Sequence, residues 1–260
     1  MDYYPLIFKR KSFHLFRGAG RITGEELAGI QTFIQTLRPL DASIRTAVRI
    51  VPESETTCRR GAEYCIELYS EEKGPYLRNI GYIGEQIDLY LAGLSIGALW
   101  FGIGKPDQAE YDGLSFIIMI AMAKMPDGSF RKDMFKAKRK PEDEIWIGGK
   151  MDGVGNIVRF SPSACNTQPW IVEHTDGALL IYRYKKPGKR GIMPANKVLF
   201  YNRIDIGIFL FILEVCLTRA GYAFSGTQLL EDAPDTEEKV PVARYALQAV
   251  NKRSYNGSGR

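Results

Sequence analysis

Histidine occurs only twice and cysteine only four times in 260 residues. Cys58, Cys65, Cys165 and Cys216 form no CxxC pair, and His14 and His174 stand far apart, so no zinc site is visible at ligand spacing. Such sparse cysteine also excludes a disulfide-stapled miniprotein and reads as a reduced, cytoplasmic chain. No extended apolar run precedes a small-residue cleavage site in the first ten residues, so no signal peptide is expected. Uncharged runs of membrane length are missing as well. Residues 80–100 carry Glu85, Gln86 and Asp88, and residues 204–224 carry Asp205, Glu214 and Arg219, whereas a spanning helix needs about 20 residues with almost no charge. Both stretches read as buried core helices. A large excess of one charge is absent too: the net charge of +5 suits an anionic ligand without selecting one.

What is present suits a sizeable core. The chain is 45% hydrophobic, 12% aromatic and 25% charged, ordinary for a globular domain, and its length allows one large domain or two closely packed ones. A basic segment, residues 8–16, comes first. The spacing predicts a helix over 23–37, with Thr23 as N-cap and Glu26 at the capping-box position. Strands are expected over 44–51 and 63–69, then a long apolar helix over 84–99 and a strand over 116–123. The second half runs similarly: a strand pair over 170–174 and 178–184 turning at Asp176-Gly177, an apolar helix over 202–220, and a strand over 242–250. Each long helix is expected to begin with an Ile-Asp pair, Ile87-Asp88 and Ile204-Asp205, so the repeat is architectural rather than one of identity. Residues 125–155, rich in charge, glycine and proline, form the best boundary, with a short helix expected after Pro141. Residues 185–190 read as a loop and the tail from Ser254 as frayed.

One segment is unusually specific: Phe160-Ser161-Pro162-Ser163-Ala164-Cys165-Asn166-Thr167-Gln168-Pro169-Trp170. It resembles the PSxxNxQPW signature of the FMN-dependent nitroreductase family. Arg10-Lys11-Ser12-Phe13-His14 is similar to that family's R-R-S-x-R segment, and Gly93-Leu94-Ser95-Ile96-Gly97-Ala98-Leu99-Trp100 to its glycine-rich helix end. Lys138-Arg139-Lys140-Pro141, followed by acidic residues 142–144, resembles its basic K/R-x-R-x-P tail. The order departs from an ordinary member, in which PSxxN follows the N-terminal helix; here that place holds Arg38-Pro39-Leu40-Asp41-Ala42-Ser43. The ordinary enzyme is a homodimer with two interfacial flavins, each taking the basic segment from one subunit and the PSxxN loop from the other. In this chain the first half keeps the basic segment and the second keeps PSxxN. It therefore resembles the single-chain, tandemly duplicated subgroup.

The resemblance implies an α+β, nitroreductase-like fold of antiparallel sheets with packed helices, its two degenerate repeats (1–141 and 142–260) forming an intramolecular pseudo-dimer that acts as a monomer. It implies FMN as cofactor, NAD(P)H as donor and a small electron-poor acceptor such as a nitroaromatic or quinone, with neither nucleic acid nor membrane as partner. The cofactor-binding residues carried over are Arg10, Lys11, Ser12, His14, Ala98, Leu99, Trp100, Lys138, Arg139, Pro162, Ser163, Ala164, Asn166 and Gln168.

These residue types suit a flavin. Guanidinium groups at Arg10 and Arg139 offer paired donors to a phosphate, with Lys138 as a point charge beside them. Ser12 can donate a hydroxyl, and the Asn166 amide both donates and accepts. Pro162 and Pro169 stiffen their loop, and glycines 97 and 102 permit close backbone approach. Where the family often has Arg or Lys, His14 leaves the charge to its environment. No side chain is assigned as general acid or base. Taken alone, the basic run 131–140 reads as a solvated loop, and with few interleaved aromatics it ranks last as a nucleic-acid binder. Cys165, lacking a paired base, reads as a small filler. A flavin-binding protein with little or no turnover is the second class of function.

Overall fold

The computed structural model describes residues 1–175, 177–184, 191–229 and 238–249. Asp176 of the expected turn, the 185–190 loop, Val250 and the tail from Ser254 lie outside the described residues.

Helix α1 (Tyr4–Lys9) carries its proline in the first turn, where a missing N–H breaks no bond, and ends at Arg10. Helix α2 (Gly24–Ile34) has the full capping box: Thr23 Oγ1 accepts from the Glu26 N–H at 3.1 Å, and the Glu26 carboxylate accepts from the Thr23 N–H at 2.9 Å. Strands β1 (Thr46–Pro52) and β2 (Tyr64–Ser70) precede the long helix α3 (Tyr76–Gly93); β3 (Ile96–Phe101), the short β4 (Glu110–Tyr111) and β5 (Leu114–Lys124) follow it. They form an antiparallel sheet of order β1-β2-β5-β3, with β4 paired to β5.

After α4 (Glu142–Ile145) the chain enters a second sheet through β6 (Trp146–Gly148). Then come α5 (Gly155–Val158), β7 (Trp170–Thr175), β8 (Ala178–Tyr184), the long helix α6 (Val198–Ala220), β9 (Tyr222–Gln228) and β10 (Lys239–Ala249). The order is β6-β7-β8-β10-β9, antiparallel except for the β6–β7 pair. This is an α+β architecture of largely antiparallel sheets with packed helices. With β4 and β6 set aside, both sheets have one plan: two strands, a long helix, two more strands, ordered first-second-fourth-third.

Helix α3 packs on the first sheet and on α6, and α6 packs on the second sheet. A helix covered on most sides can be apolar nearly all round, which is why both were mistakable for membrane spans. Among the described residues no helix is long and apolar enough to cross a membrane. The two helices meet backbone to backbone. A Cβ built at Gly81 would overlap the Ile204 carbonyl, and one built at Gly207 would overlap the Arg78 carbonyl. One sequence spacing relates further pairs on the two helices. Two residues before each crossing glycine, Asn79 Oδ1 accepts from the Leu40 N–H at 2.7 Å and Asp205 Oδ1 from the Ala164 N–H at 2.9 Å. At the same spacing, Ser95 (φ 56°) and Gly221 (φ 84°) make the left-handed turns that lead into β3 and β9.

Two expectations change. The helix expected over 84–99 instead runs Tyr76–Gly93, and its apolar continuation is strand β3. A continuous apolar run suits a buried helix or a buried strand equally, and the separating turn falls on a serine rather than a glycine. The Ile-Asp pairs do not correspond either. Asp88 lies in the C-terminal half of α3, whereas Asp205 lies in the first half of α6 and is matched by Asn79. Strand β9 and the parallel β6 were not foreseen; the exposed, glycine-containing Tyr222–Gln228 lacks a clear alternating pattern.

The far face of the first sheet is covered by Phe13, Phe16, Met125 and Phe130, packed on Leu99, Phe101 and Met119. This second core ties the basic N-terminal segment to the sheet. Gly207→Ala should destabilise the protein by about 3 kcal/mol or more, because the added methyl meets a carbonyl that cannot rotate away. Gly24→Ala, with open space at its Cβ, should change stability by less than about 1 kcal/mol. Urea unfolding midpoints of the two variants check the contrast.

Candidate functional site

A cavity of about 280 Å³ opens where the first sheet faces the second half of the chain. That is close to the lower end of the roughly 300–1,000 Å³ typical of small-molecule sites. One wall comes from Arg10, Ser12, His14, Arg60 and strand β3 with the residues after it; the other comes from residues 162–165, residues 192–194 and the N-terminal half of α6.

The first wall is set by backbone pairing. Ser12 makes a parallel bridge to Ala98, and the Phe13 N–H donates to the Ala98 carbonyl at 3.0 Å. Gly97 makes this possible, since a Cβ there would collide with the Phe13 ring. Arg10 is 3% exposed. Its Nε donates to Asp88 Oδ2 at 2.8 Å, its Nη2 donates to Ser12 Oγ at 3.0 Å, and Glu85 lies 3.9 Å away. Trp100 lies across Gly84 and donates its indole N–H to the same Asp88 oxygen at 3.0 Å. Burial, then the neighbouring Asp88, push Glu85 well above the usual carboxylate range. Burial works against the charge of Arg10, but Asp88 and Glu85 more than offset it and hold its pKa above the ordinary value. Buried ion pairs fix geometry more surely than they stabilise a fold, and here the fixed group is the Arg10 guanidinium.

The second wall is a strained loop. Cys165, Asn166 and Gln168 all have positive φ (49°, 56° and 50°), a region that non-glycine residues rarely occupy. Such clustering marks functional loops when the surroundings hold the strain in place. Here Ser163 Oγ accepts from the Gln168 N–H at 3.0 Å, and buried Asp205 accepts from the Ala164 N–H and, at 3.4 Å, from the Thr167 hydroxyl. Asp205 also lines the cavity, and burial raises its pKa to about 8 against the lowering effect of those two bonds. Tyr201 closes one end, its ring against Gly102 and its hydroxyl donating to the Gly102 carbonyl at 2.7 Å.

Beside this loop lies Arg139, which feels the charges of three other arginines. Arg139 is held down to about 10, first by burial and then by Arg10, Arg131 and Arg159. Its Nη1 donates to Asn166 Oδ1 at 2.8 Å, while its buried Nε has no hydrogen-bond partner among the described residues. Mutually repelling cations with an orphaned donor suit a phosphate dianion. The residues present thus fit a phosphorylated, ring-bearing cofactor. Among the described residues no group of His, Cys, Asp and Glu could hold a metal ion.

Of the residues singled out from sequence, Arg10, Ser12, His14, Leu99, Trp100, Pro162, Ser163 and Ala164 line the cavity together. The others are not part of its lining. Ala98 is buried under Ser12, and Lys11 donates to the Ser129 carbonyl at 2.9 Å. The Asn166 amide is occupied by Arg139 and, at 3.1 Å, by the Lys138 carbonyl. Gln168 Oε1 accepts from the Lys140 N–H at 2.7 Å. Sequence reading passed over Arg60, Tyr201 and Asp205 as site residues and took Cys165 for filler, although Cys165 is exposed and lines the cavity. The sequence offers Asp205 as a helix marker and as a charge against a membrane span; an acid inside an apolar helix is also the signal of a site residue.

Residues 2–216 match the profile of a family described as "Putative TM nitroreductase". No curated protein matches the chain. Among solved structures, a "putative nitroreductase" from Thermotoga maritima superposes with a TM-score of 0.60 at 18% identity, covering 95% of this chain and 93% of its own, which establishes the likeness of fold. A nitroreductase family protein from Clostridium difficile (TM-score 0.42, 14% identity) covers 56% of this chain and 97% of its own. A "putative NADH oxidase" from Clostridium acetobutylicum (TM-score 0.42, 15% identity) covers 56% and 99%.

Asp205 generates a pH test. Between the usual aspartate value and about 8, the folded state holds a proton that the unfolded chain has released, so this group makes stability fall as pH rises through that window. Asp205→Asn should keep the loop in place, as Asn79 does at its own loop, and flatten the decline by up to about 1.4 kcal/mol per pH unit. Thermal melts of both proteins from pH 5 to pH 8 check it; parallel profiles would contradict it.

Proposed function

Because the chain belongs to the nitroreductase family whose profile spans residues 2–216, we propose that this oxidoreductase uses FMN, held in the cleft between the basic segment and the 162–168 loop. NAD(P)H would be the donor and a small electron-poor molecule, a nitroaromatic or quinone, the acceptor. One observation carries the proposal: Arg10, Ser12 and Trp100 from one half of the chain share a cavity with Pro162, Ser163 and Ala164 from the other, and Arg139, bonded to Asn166 of the same loop, feels the charge of Arg10.

FMN held there would supply the two-electron hydride chemistry of a ping-pong scheme between donor and acceptor. The chain's own groups bind and orient. Arg10 and Arg139, with Lys138, would hold the phosphate; Ser12, with Lys11 beside it, would serve the adjoining hydroxylated chain; Leu99 and Trp100 would meet the ring, with Ala98 backing Ser12 beneath them; His14 would stand at the rim. Pro162, Ser163 and Ala164 form the facing wall, and Asn166 and Gln168 tie that wall to the basic tail. Apolar Ile118, Ile204 and Ile208 keep water from the reacting face.

We read residues 1–141 and 142–260 as two diverged repeats, an intramolecular pseudo-dimer that needs no second chain to complete its cleft. The shared strand order and the matched loop-holding residues Asn79 and Asp205 support this reading. A flavin-binding role with little turnover is the second reading, favoured by exposed His14 in the place of the family's fixed cation.

The protein purified without added flavin should be yellow or take up FMN stoichiometrically, and the released cofactor should be FMN by chromatography. Arg10→Ala and Asn166→Ala should each weaken FMN binding about tenfold or more, the loss expected when a charge-assisted hydrogen bond or the loop's anchor is removed. Arg45→Ala, on an exposed pair with Asp112, should bind as the parent does. A colourless chain that refuses FMN would contradict the proposal. Anaerobic addition of NADH or NADPH separates the readings, because only the oxidoreductase bleaches its bound flavin at a useful rate.

A further inference from the structure

The spacing that pairs Asn79 with Asp205 and Gly81 with Gly207 can be applied to the rest of the cleft. Ile204 and Ile208 on α6 then correspond to Arg78 and Tyr82 on α3. Gly102 and Ile103, after β3, correspond to Gln228 and Leu229 at the end of β9. The loop held by Asp205 corresponds to the loop at Leu40 and Asp41, whose N–H groups both donate to Asn79 Oδ1. A second cleft, related to the first, is therefore expected between α3, β9 and that loop.

That space is filled. Where Ile204 and Ile208 leave room in the first cleft, Arg78 crosses the second to the far sheet. Its Nη1 donates to the Val242 carbonyl and, at 3.5 Å, to Gln228 Oε1; its Nη2 donates to the Leu229 carbonyl at 2.5 Å. Arg78 is 2% exposed. Tyr82, also buried, donates to Glu214 Oε2 at 2.6 Å and accepts from Arg38 Nη2 at 3.4 Å. Glu214, at the position matching Asp88, is thus held by tyrosine hydroxyls from Tyr82 and, at 2.8 Å, Tyr245, whereas Asp88 holds Arg10.

We infer that Arg78 and Tyr82 are internal plugs that close the second, related cleft, so that the chain offers one cofactor site and not two. The inference rests on the reading of two repeats and one FMN cleft. Its physical basis is local: a ligand entering there would have to break charge-assisted bonds to β9 and β10 and expel a buried cation. The Leu229 carbonyl that Arg78 satisfies would then need another donor, whereas the Val242 carbonyl also accepts from the Leu229 N–H at 2.9 Å.

Counting FMN against protein in the saturated, dialysed wild type should give one per chain. Two per chain would overturn the plug while sustaining the cofactor reading. A chain that binds none would contradict the cofactor reading alone, because a second measurement judges the plug without flavin. Arg78→Ala should melt roughly 5 °C or more below the parent, having lost a buried donor set. Millimolar ethylguanidinium should restore at least half of that loss, ethylammonium should not, and neither should shift the parent. Equal effects of the two cations, or an Arg78→Ala protein as stable as the parent, would overturn the inference. If Arg78→Ala does not accumulate folded, Arg78→Lys keeps the charge but not the fork, and it must melt below the parent; equal stability would again overturn it.

Discussion

Direct backbone contact between α3 and α6 at Gly81 and Gly207 sets the distances on which the rest of the molecule depends. With no side chain between them, the helices bring the end of β3 within reach of Tyr201 on α6, the helix whose Asp205 holds the 162–168 loop. A helix pair separated by ordinary side chains would sit at 8–10 Å between axes and open the cleft accordingly. The outer sheets follow, since each packs on one of the two helices. The site is thus a consequence of how closely two glycines let the halves approach.

Within that frame the charges are placed in advance. Arg10 is oriented by Asp88 and Ser12, and Arg139 by Asn166, so both guanidinium groups stand fixed without any ligand. Holding cations close together in a partly buried place is unfavourable, as the lowered pKa of Arg139 records. The same arrangement favours an anion that enters, because the ordering has already been done. The strained 165–168 backbone is held in the same way: three left-handed residues persist because Ser163 and Asp205 accept from the loop's N–H groups and Arg139 donates to Asn166.

Much of this was legible in the sequence, for identifiable reasons. Thr23 and Glu26 announced α2, because a capping box is a local device. The strands β2, β7 and β8 and the helix α6 followed from apolar runs with clear ends. The β3 strand was hidden inside an apolar stretch whose turn, Ser95, carries no glycine. The roles of Arg10, Ser12 and Pro162 to Ala164 are suggested by motif resemblance, while Tyr201 reaches the cavity through the helix crossing and Arg60 through the loop between β1 and β2, contacts that leave no trace at local spacing. Asn166 shows a further limit: its bonds to Arg139 and to the Lys138 carbonyl, which tie the loop to the basic tail, are tertiary contacts that composition and spacing cannot express.

The central claim is that one polypeptide builds a flavin cleft from both of its halves. Diffraction from crystals grown with FMN tests it most directly. The account predicts ring density between Trp100 and the Pro162–Ala164 wall, phosphate density at Arg10 and Arg139, and every contact from one chain. Flavin density elsewhere, or a cleft completed only by a second molecule, would contradict it.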